Sequence, residues 1–400
     1  MIRSRLVGPL ALAPACFSPH YNLLKCGVGD SCPSGYVCRD GNCESRTPDD
    51  AAPGDGTIGN DGPSSRVCLG SFVKVCVDVP PVALELSVQT IDTSDAGAMK
   101  CQPYDATPMV DACVIAAQTI TVPSGNTVTA TGPRRLILLA TGALTIAGTL
   151  DAGSHRAGLR GPAADTGPCP TNFTNPTVLG QGGGGWGGTL GGPGNNGGHS
   201  ADGAIGGIAG SSLAITALGG GCAGGDGAGV SGGSGGHGGG ALLLLSGQTI
   251  SIAGTVTASG AGGDGGKTAA AAAGGGGGGG GAGGMIVLDA PSVLIPGRCF
   301  ANGGGGGEGS SLIAGGGGGE SAAPDMAGSG GSGASIGGAG GAGGLGTIGS
   351  LLGANGGSIV NPVVDAGGGG GGGGGVGIIK IFAPSQQDSG DPHKVSPPPS

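Results

Sequence analysis

One stretch, which the chain repeats, limits its fold more than any other feature. Residues 240–260 read GALLLLSGQTISIAGTVTASG. An aliphatic run (242–245) leads into a polar corner (246–249). Ile250 and Ile252 then flank Ser251, and Thr255 and Thr257 flank Val256. Alternation with a period of two reads as strand, and Gly247 and Gly254 read as the turns between strands. Residues 136–150 keep the same spacing, and Ile146-Ala147-Gly148-Thr149 equals Ile252-Ala253-Gly254-Thr255. In a third copy from Met285, residues Val293, Ile295 and Gly297 fall on Ile250, Ile252 and Gly254, and Cys299 falls on Val256. A half copy spans 118–132 and a partial copy 378–384. Units that cannot bury an apolar face alone must stack, which predicts a solenoid.

The spacers between copies are glycine with Ala and Ser. The expected fold is all-β: a right-handed parallel β-helix, solenoid-like, with long glycine-rich loops at 153–240, 260–284 and 303–377. Ile146, Ile252 and Ile295 are expected to form one inward ladder, with Thr145, Ser251 and Leu294 facing out. Glycine supplies 104 of 400 residues, without the Gly-X-Y period of collagen. A net charge of −9 leaves no basic field, so nucleic acid is not an expected partner.

Arg3 and Arg5, an apolar stretch over 6–13 and small residues before Cys16 read as an export signal over 1–16. Ending at a cysteine, it resembles a bacterial lipoprotein signal, which implies Cys16 as the lipidated residue and a membrane partner through the lipid. Residues 17–44 carry Cys26, Cys32, Cys38 and Cys43 among turn formers, the pattern of a two-disulfide module. Three connectivities are open. The interlaced one, Cys26 with Cys38 and Cys32 with Cys43, is favoured, and a zinc site wants closer CxxC pairs. Residues 45–66 read as a linker and 67–114 as a β cap that closes the first coil, with candidate bridges Cys68 to Cys76 and Cys101 to Cys113. The solenoid then covers 115–384. A Cys169 to Cys222 bridge would staple its first excursion, and Cys299 is left unpaired. Residues 385–400 read as a disordered tail.

Little in the sequence points to chemistry. Gly265-Gly266-Lys267-Thr268 has only the end of a phosphate-binding loop. Asp202, Asp226 and Asp264 are single and scattered, a poor start for calcium. His155, His199 and His237 read as solvated loop residues. Polysaccharide-cleaving β-helices need clustered acids and bases, and here Arg298 with Asp289 is the nearest pair within the repeats. No catalytic, cofactor-binding or metal-ligating residue is assigned, and no cofactor is expected.

Three features together resemble the glycine-rich surface lipoproteins of myxobacteria: Cys16-Phe17-Ser18-Pro19 after the signal, the module from Cys26 to Cys43 with its Cys-Pro-x-Gly-Tyr-x-Cys, and aliphatic repeats set in polyglycine. The polyglycine is also similar to the repeat region of mycobacterial PGRS proteins. The resemblance implies a surface location and transfers no catalytic set. The expected function is structural or adhesive, at the outer membrane or cell surface or secreted, with envelope polysaccharide or surface proteins as partners. The alternatives are a carbohydrate-binding or carbohydrate-cleaving β-helix and a disordered glycine-rich matrix polymer.

Overall fold

The computed structural model describes residues 66–400 except 80–81, 88–89, 98, 213, 269–273, 333–353, 360–366 and 389–392, together with strands Tyr36–Arg39 and Asn42–Ser45. Two units are separable, one ending at Pro63 and one beginning at Ser64. In the first, the two strands form an antiparallel hairpin with Cys38 opposite Cys43. Cys16, Cys26 and Cys32 lie outside the described residues, and so do the bridges expected among the cysteines of this module.

The second unit is built on three sheets whose neighbours are all parallel. The first sheet stacks Ala112–Ala117, Arg135–Ala140, Ala241–Ser246, Met285–Asp289 and Ile378–Phe382. The second stacks Ala83–Glu85, Thr119–Val122, Leu144–Ile146, Thr249–Ile252, Ser292–Ile295 and Ser385–Asp388. The third stacks Thr90–Asp92, Thr127–Thr131, Thr149–Asp151, Thr255–Thr257, Arg298–Phe300 and Val395–Ser396. From Ala112 onward the chain visits first, second and third sheet in turn, five times over.

The register follows the sequence repeat. Leu144 pairs with Ile250, Ile146 with Ile252, and Val256 with Cys299. Ile146, Ile252 and Ile295 are buried, while Thr145, Ser251 and Leu294 keep partial exposure. The turn glycines stack as well. A Cβ on Gly254 would lie 1.9 Å from the Gly148 carbonyl oxygen, and one on Gly297 would lie 2.1 Å from that of Gly254. No other residue fits where backbones approach so closely.

Three features differ from the sequence expectation. The block after residue 66, expected as a cap on the first coil, carries a sheet of its own. Strands Arg66–Leu69, Lys74–Asp78 and Tyr104–Thr107 form an antiparallel sheet. Its Val73, Val75 and Val77 pack on Ile137, Leu139, Leu243, Leu245 and Val287, the outer side of the first sheet. Leu136, Leu138, Leu242, Leu244, Ile286 and Leu288 fill the inner core. The first sheet is therefore buried on both faces, which is why its strands are continuous aliphatic runs while the other two alternate.

The tail expected over 385–400 instead carries strands Ser385–Asp388 and Val395–Ser396, which add a last rung to the second and third sheets. The Ser396 hydroxyl, buried here, bonds Asn302 Oδ1 at 2.6 Å.

The third difference is the largest. The described residues of the glycine-rich stretches expected as loops form an ordered bundle of extended segments joined by backbone hydrogen bonds. All three excursions leave after the third sheet, at Asp151, Thr257 and Phe300, and return to the first sheet at Ala241, Met285 and Ile378. Those exits and entries are in register, so one corner of the core feeds the whole bundle.

Candidate functional site

Residues 274–284 run through the centre of the bundle and are buried along their whole length. Buried backbone donors and acceptors must be paired, and a chain of bare glycine has only other backbone to use. The N–H groups of Gly276, Gly279 and Ala282 donate to the carbonyls of Ala228, Gly225 and Cys222. Those of Gly277, Gly280 and Gly283 donate to Gly369, Gly372 and Gly375, and those of Gly278, Gly281 and Gly284 to Asp264, Ala261 and Ala258. The carbonyls go out in the same rhythm. Gly182, Gly185 and Gly188 donate to Gly274, Gly277 and Gly280; Gly233, Gly236 and Gly239 donate to Gly276, Gly279 and Ala282; Ser310, Gly307 and Gly304 donate to Gly275, Gly278 and Gly281.

Each neighbour thus meets every third residue, the period of an extended helix with three residues per turn, as in polyproline II. Six segments surround the centre, and three that accept alternate with three that donate. Bonds also join each neighbour to the next around the ring: Gly225 to Trp186, Gly224 to Gly236, Ala261 to His237, Gly263 to Gly305, Gly371 to Gly307 and Gly372 to Gly185. The first excursion supplies three neighbours, the second the centre and one neighbour, and the third two. Glycine is required because the segments nearly touch. A Cβ on Gly279 would lie 1.9 Å from the Trp186 carbonyl oxygen, and one on Gly280 would lie 2.0 Å from that of Gly304. Gly229, at φ 92°, makes the turn that sends 222–228 back as 233–239.

Polar side chains gather where the bundle meets the third sheet. Asp151 ends its strand, and His155 follows one short loop later. His155 Nε2 lies 3.0 Å from Asp151 Oδ2, and Nδ1 lies 2.8 Å from Glu320 Oε2 of the third excursion. The other Asp151 oxygen accepts the Gly153 N–H, and the other Glu320 oxygen accepts that of Arg156. A cavity of about 270 Å³ opens beside them, bounded by Thr255, Thr257, Ser259 and Phe300. The hydrogen bonds to Asp151 and then Glu320 outweigh burial and push the His155 imidazole up to about 10. Burial raises Glu320, but its bonds to His155 and Arg156 leave it below the ordinary range. A group that holds its proton at neutral pH, with both ring nitrogens committed to carboxylates, is a poor general base and has no lone pair for a metal. Asp151, His155 and Glu320 instead tie two excursions to the sheet.

The pH dependence follows from these directions. His155 is raised, so its contribution is complete below the ordinary histidine value and is lost as pH rises through about 10. Glu320 is lowered, so its contribution is present above the ordinary glutamate value and is lost as pH falls through its depressed one. The His155 ring signals in an NMR titration are therefore expected to stay in the protonated position through neutral pH, and Glu320→Gln should lower the midpoint. A midpoint near about 6.5 in the parent would contradict the double pairing.

The other sequence candidates are dispersed. Asp264 faces Arg156 at 3.6 Å, Asp226 accepts the Gly235 N–H at 2.8 Å, and Asp202 accepts that of Gln181 at 2.9 Å. His237 was expected in solvent, yet its Nδ1 pairs with Asp165 at 2.8 Å. Asp289 and Arg298 do not form a pair. Asp289 is buried and accepts the backbone N–H groups of Ser71 and Phe72, while Arg298 is exposed on the third sheet. Cys68 bonds Cys76, Cys101 bonds Cys113, and Cys169 bonds Cys222. Cys299 is a free thiol that burial pushes up to about 12. Among the described residues, one set of three metal-type ligands lies close together, Asp95 with Cys101 and Cys113, and its two sulfurs form a disulfide.

The outer faces of the second and third sheets carry hydroxyls in register. Thr121, Thr145 and Ser251 form one row, and Thr127, Thr149 and Thr255 another. Rows in adjacent parallel strands repeat every ~4.8 Å, and the first row ends at Glu85 and the second at Arg298. No family model matches this sequence, and no curated protein or solved structure matches it.

Proposed function

We propose that this chain is an exported, surface-attached structural or adhesive protein of the bacterial envelope, without catalytic activity, of the kind its glycine-rich lipoprotein resemblance suggests. We read its three parallel sheets as the walls of a right-handed parallel β-helix, the hand that parallel crossovers nearly always take. The observation that carries the proposal is the ring of six segments around 274–284. It builds a stiff body from backbone alone and uses polar side chains as ties. The three disulfides among the described residues suit an oxidising compartment. The hydroxyl rows give such a body regular faces for contact.

Cell fractionation tests the attachment. The full chain, expressed in a bacterial host, is expected in the membrane fraction, and Cys16→Ser is expected to release it. Mass spectrometry that finds Met1 on the mature protein would overturn the signal and the anchor together.

A further inference from the structure

Aromatic residues make up 2% of the sequence, and there is one tryptophan. That tryptophan, Trp186, stacks on Phe173 with ring centroids 4.3 Å apart. The pair lines a groove of about 490 Å³ at the edge of the bundle, together with Asn175, Pro176, Asp226 and the backbone of Gly225. This size lies in the range of small-ligand sites, about 300–1,000 Å³.

The groove is held in shape. The Cys169 to Cys222 disulfide fastens the loop bearing Phe173 to the segment bearing Gly225 and Asp226. Thr174 and Ile208 exchange backbone hydrogen bonds of 2.9 Å in both directions. Asn172, beside Phe173, bonds the Ser211 hydroxyl at 3.1 Å and accepts the Ser211 N–H at 3.2 Å. The indole of Trp186 lies against Gly225, where a Cβ would fall 2.5 Å from Nε1. Its Nε1–H is buried and has no protein partner. The indole edge is therefore packed against backbone, and the ring offers the groove its face.

We infer that the Phe173–Trp186 groove binds a neutral polysaccharide chain. Aromatic faces take the apolar face of a sugar ring, while Asn175 and Asp226 supply hydrogen bonds at its edge. The carboxylate in the groove and the net charge of −9 disfavour uronic or phosphorylated sugars. The inference gives the adhesive reading a ligand class and rests on it. Its test uses purified protein, so a failure here leaves the fractionation result standing and the ligand class alone is rejected.

Because the chain has one tryptophan, its emission comes from the residue that lines this groove. Cellohexaose, chitohexaose and maltohexaose would be titrated with parallel calorimetry, and polygalacturonate would serve as the anionic counterpart. At least one neutral hexasaccharide is expected to give a saturable emission change matching the calorimetric curve. Phe173→Ala should weaken it at least tenfold, and Asp226→Asn, which keeps an oxygen for the Gly235 N–H, should weaken it severalfold with circular dichroism unchanged. No heat and no emission change with any neutral sugar would overturn the inference. So would binding that leaves the emission unmoved, or a preference for polygalacturonate.

Discussion

Gly279→Ala is expected to unzip the centre of the bundle. The added methyl would sit 1.9 Å from the Trp186 carbonyl oxygen, which already accepts the Gly225 N–H. The atom in the way is backbone within the ring, so no rotamer change relieves the clash. Overpacking in a close-packed interior costs about 1–3 kcal/mol, and each displaced hydrogen bond adds about 1 kcal/mol. A loss of roughly 3 kcal/mol or more is therefore expected in chemical denaturation, along with a shift in Trp186 emission. Gly219→Ala is the control. Gly219 is also buried, but the nearest atom to its added Cβ is 3.6 Å away, and its φ is ordinary. That change should fall within about 1 kcal/mol of zero, because a compatible Gly→Ala substitution mainly restricts the unfolded chain. Equal effects at the two sites would mean that glycine is there for flexibility and not for close approach.

Ile252→Asp and Ser251→Asp should differ as sharply, although they are adjacent. Ile252 is fully buried in a column with Ile146 and Val122. A carboxylate there has no partner among the aliphatic side chains of the inner core. Burying an unpaired charge costs several kcal/mol, so a loss of about 4 kcal/mol or more is expected. Ser251 faces outward in the row of Thr145 and Thr121, where an aspartate stays hydrated and should cost less than about 1 kcal/mol. Guanidinium unfolding followed by circular dichroism separates the two cases, and equal sensitivity would contradict the register.

The register was legible because period-two alternation names the buried face directly. Ile250 over Leu144 and Cys299 under Val256 follow from aligning the copies. The second burial of the first sheet was also written in the sequence, in the unbroken runs at 136–139 and 242–245. What covers those runs, Val73, Val75 and Val77, comes from a segment whose own alternation does not say which face it meets. The bundle was harder to read. Glycine carries no side-chain pattern, so a run such as 274–281 reads as flexible. Its structure lies in backbone pairings between segments far apart in sequence, such as Gly280 with Gly372. The ties had the same difficulty. Asp151 and His155 are near neighbours in sequence, but Glu320 arrives from another excursion. The one available hint at the groove was the rarity of Phe173 and Trp186 in so aromatic-poor a chain.

Amide hydrogen exchange resolved at the glycines of 276–284 tests the bundle most directly. Every N–H in this stretch is buried and bonded, at 2.7 to 3.1 Å. These amides should exchange only through opening of the bundle, as slowly as those of Leu242 and Leu244 in the first sheet. Exchange at the rate of an unstructured glycine peptide, with the sheet amides still protected, would contradict the ring of six segments.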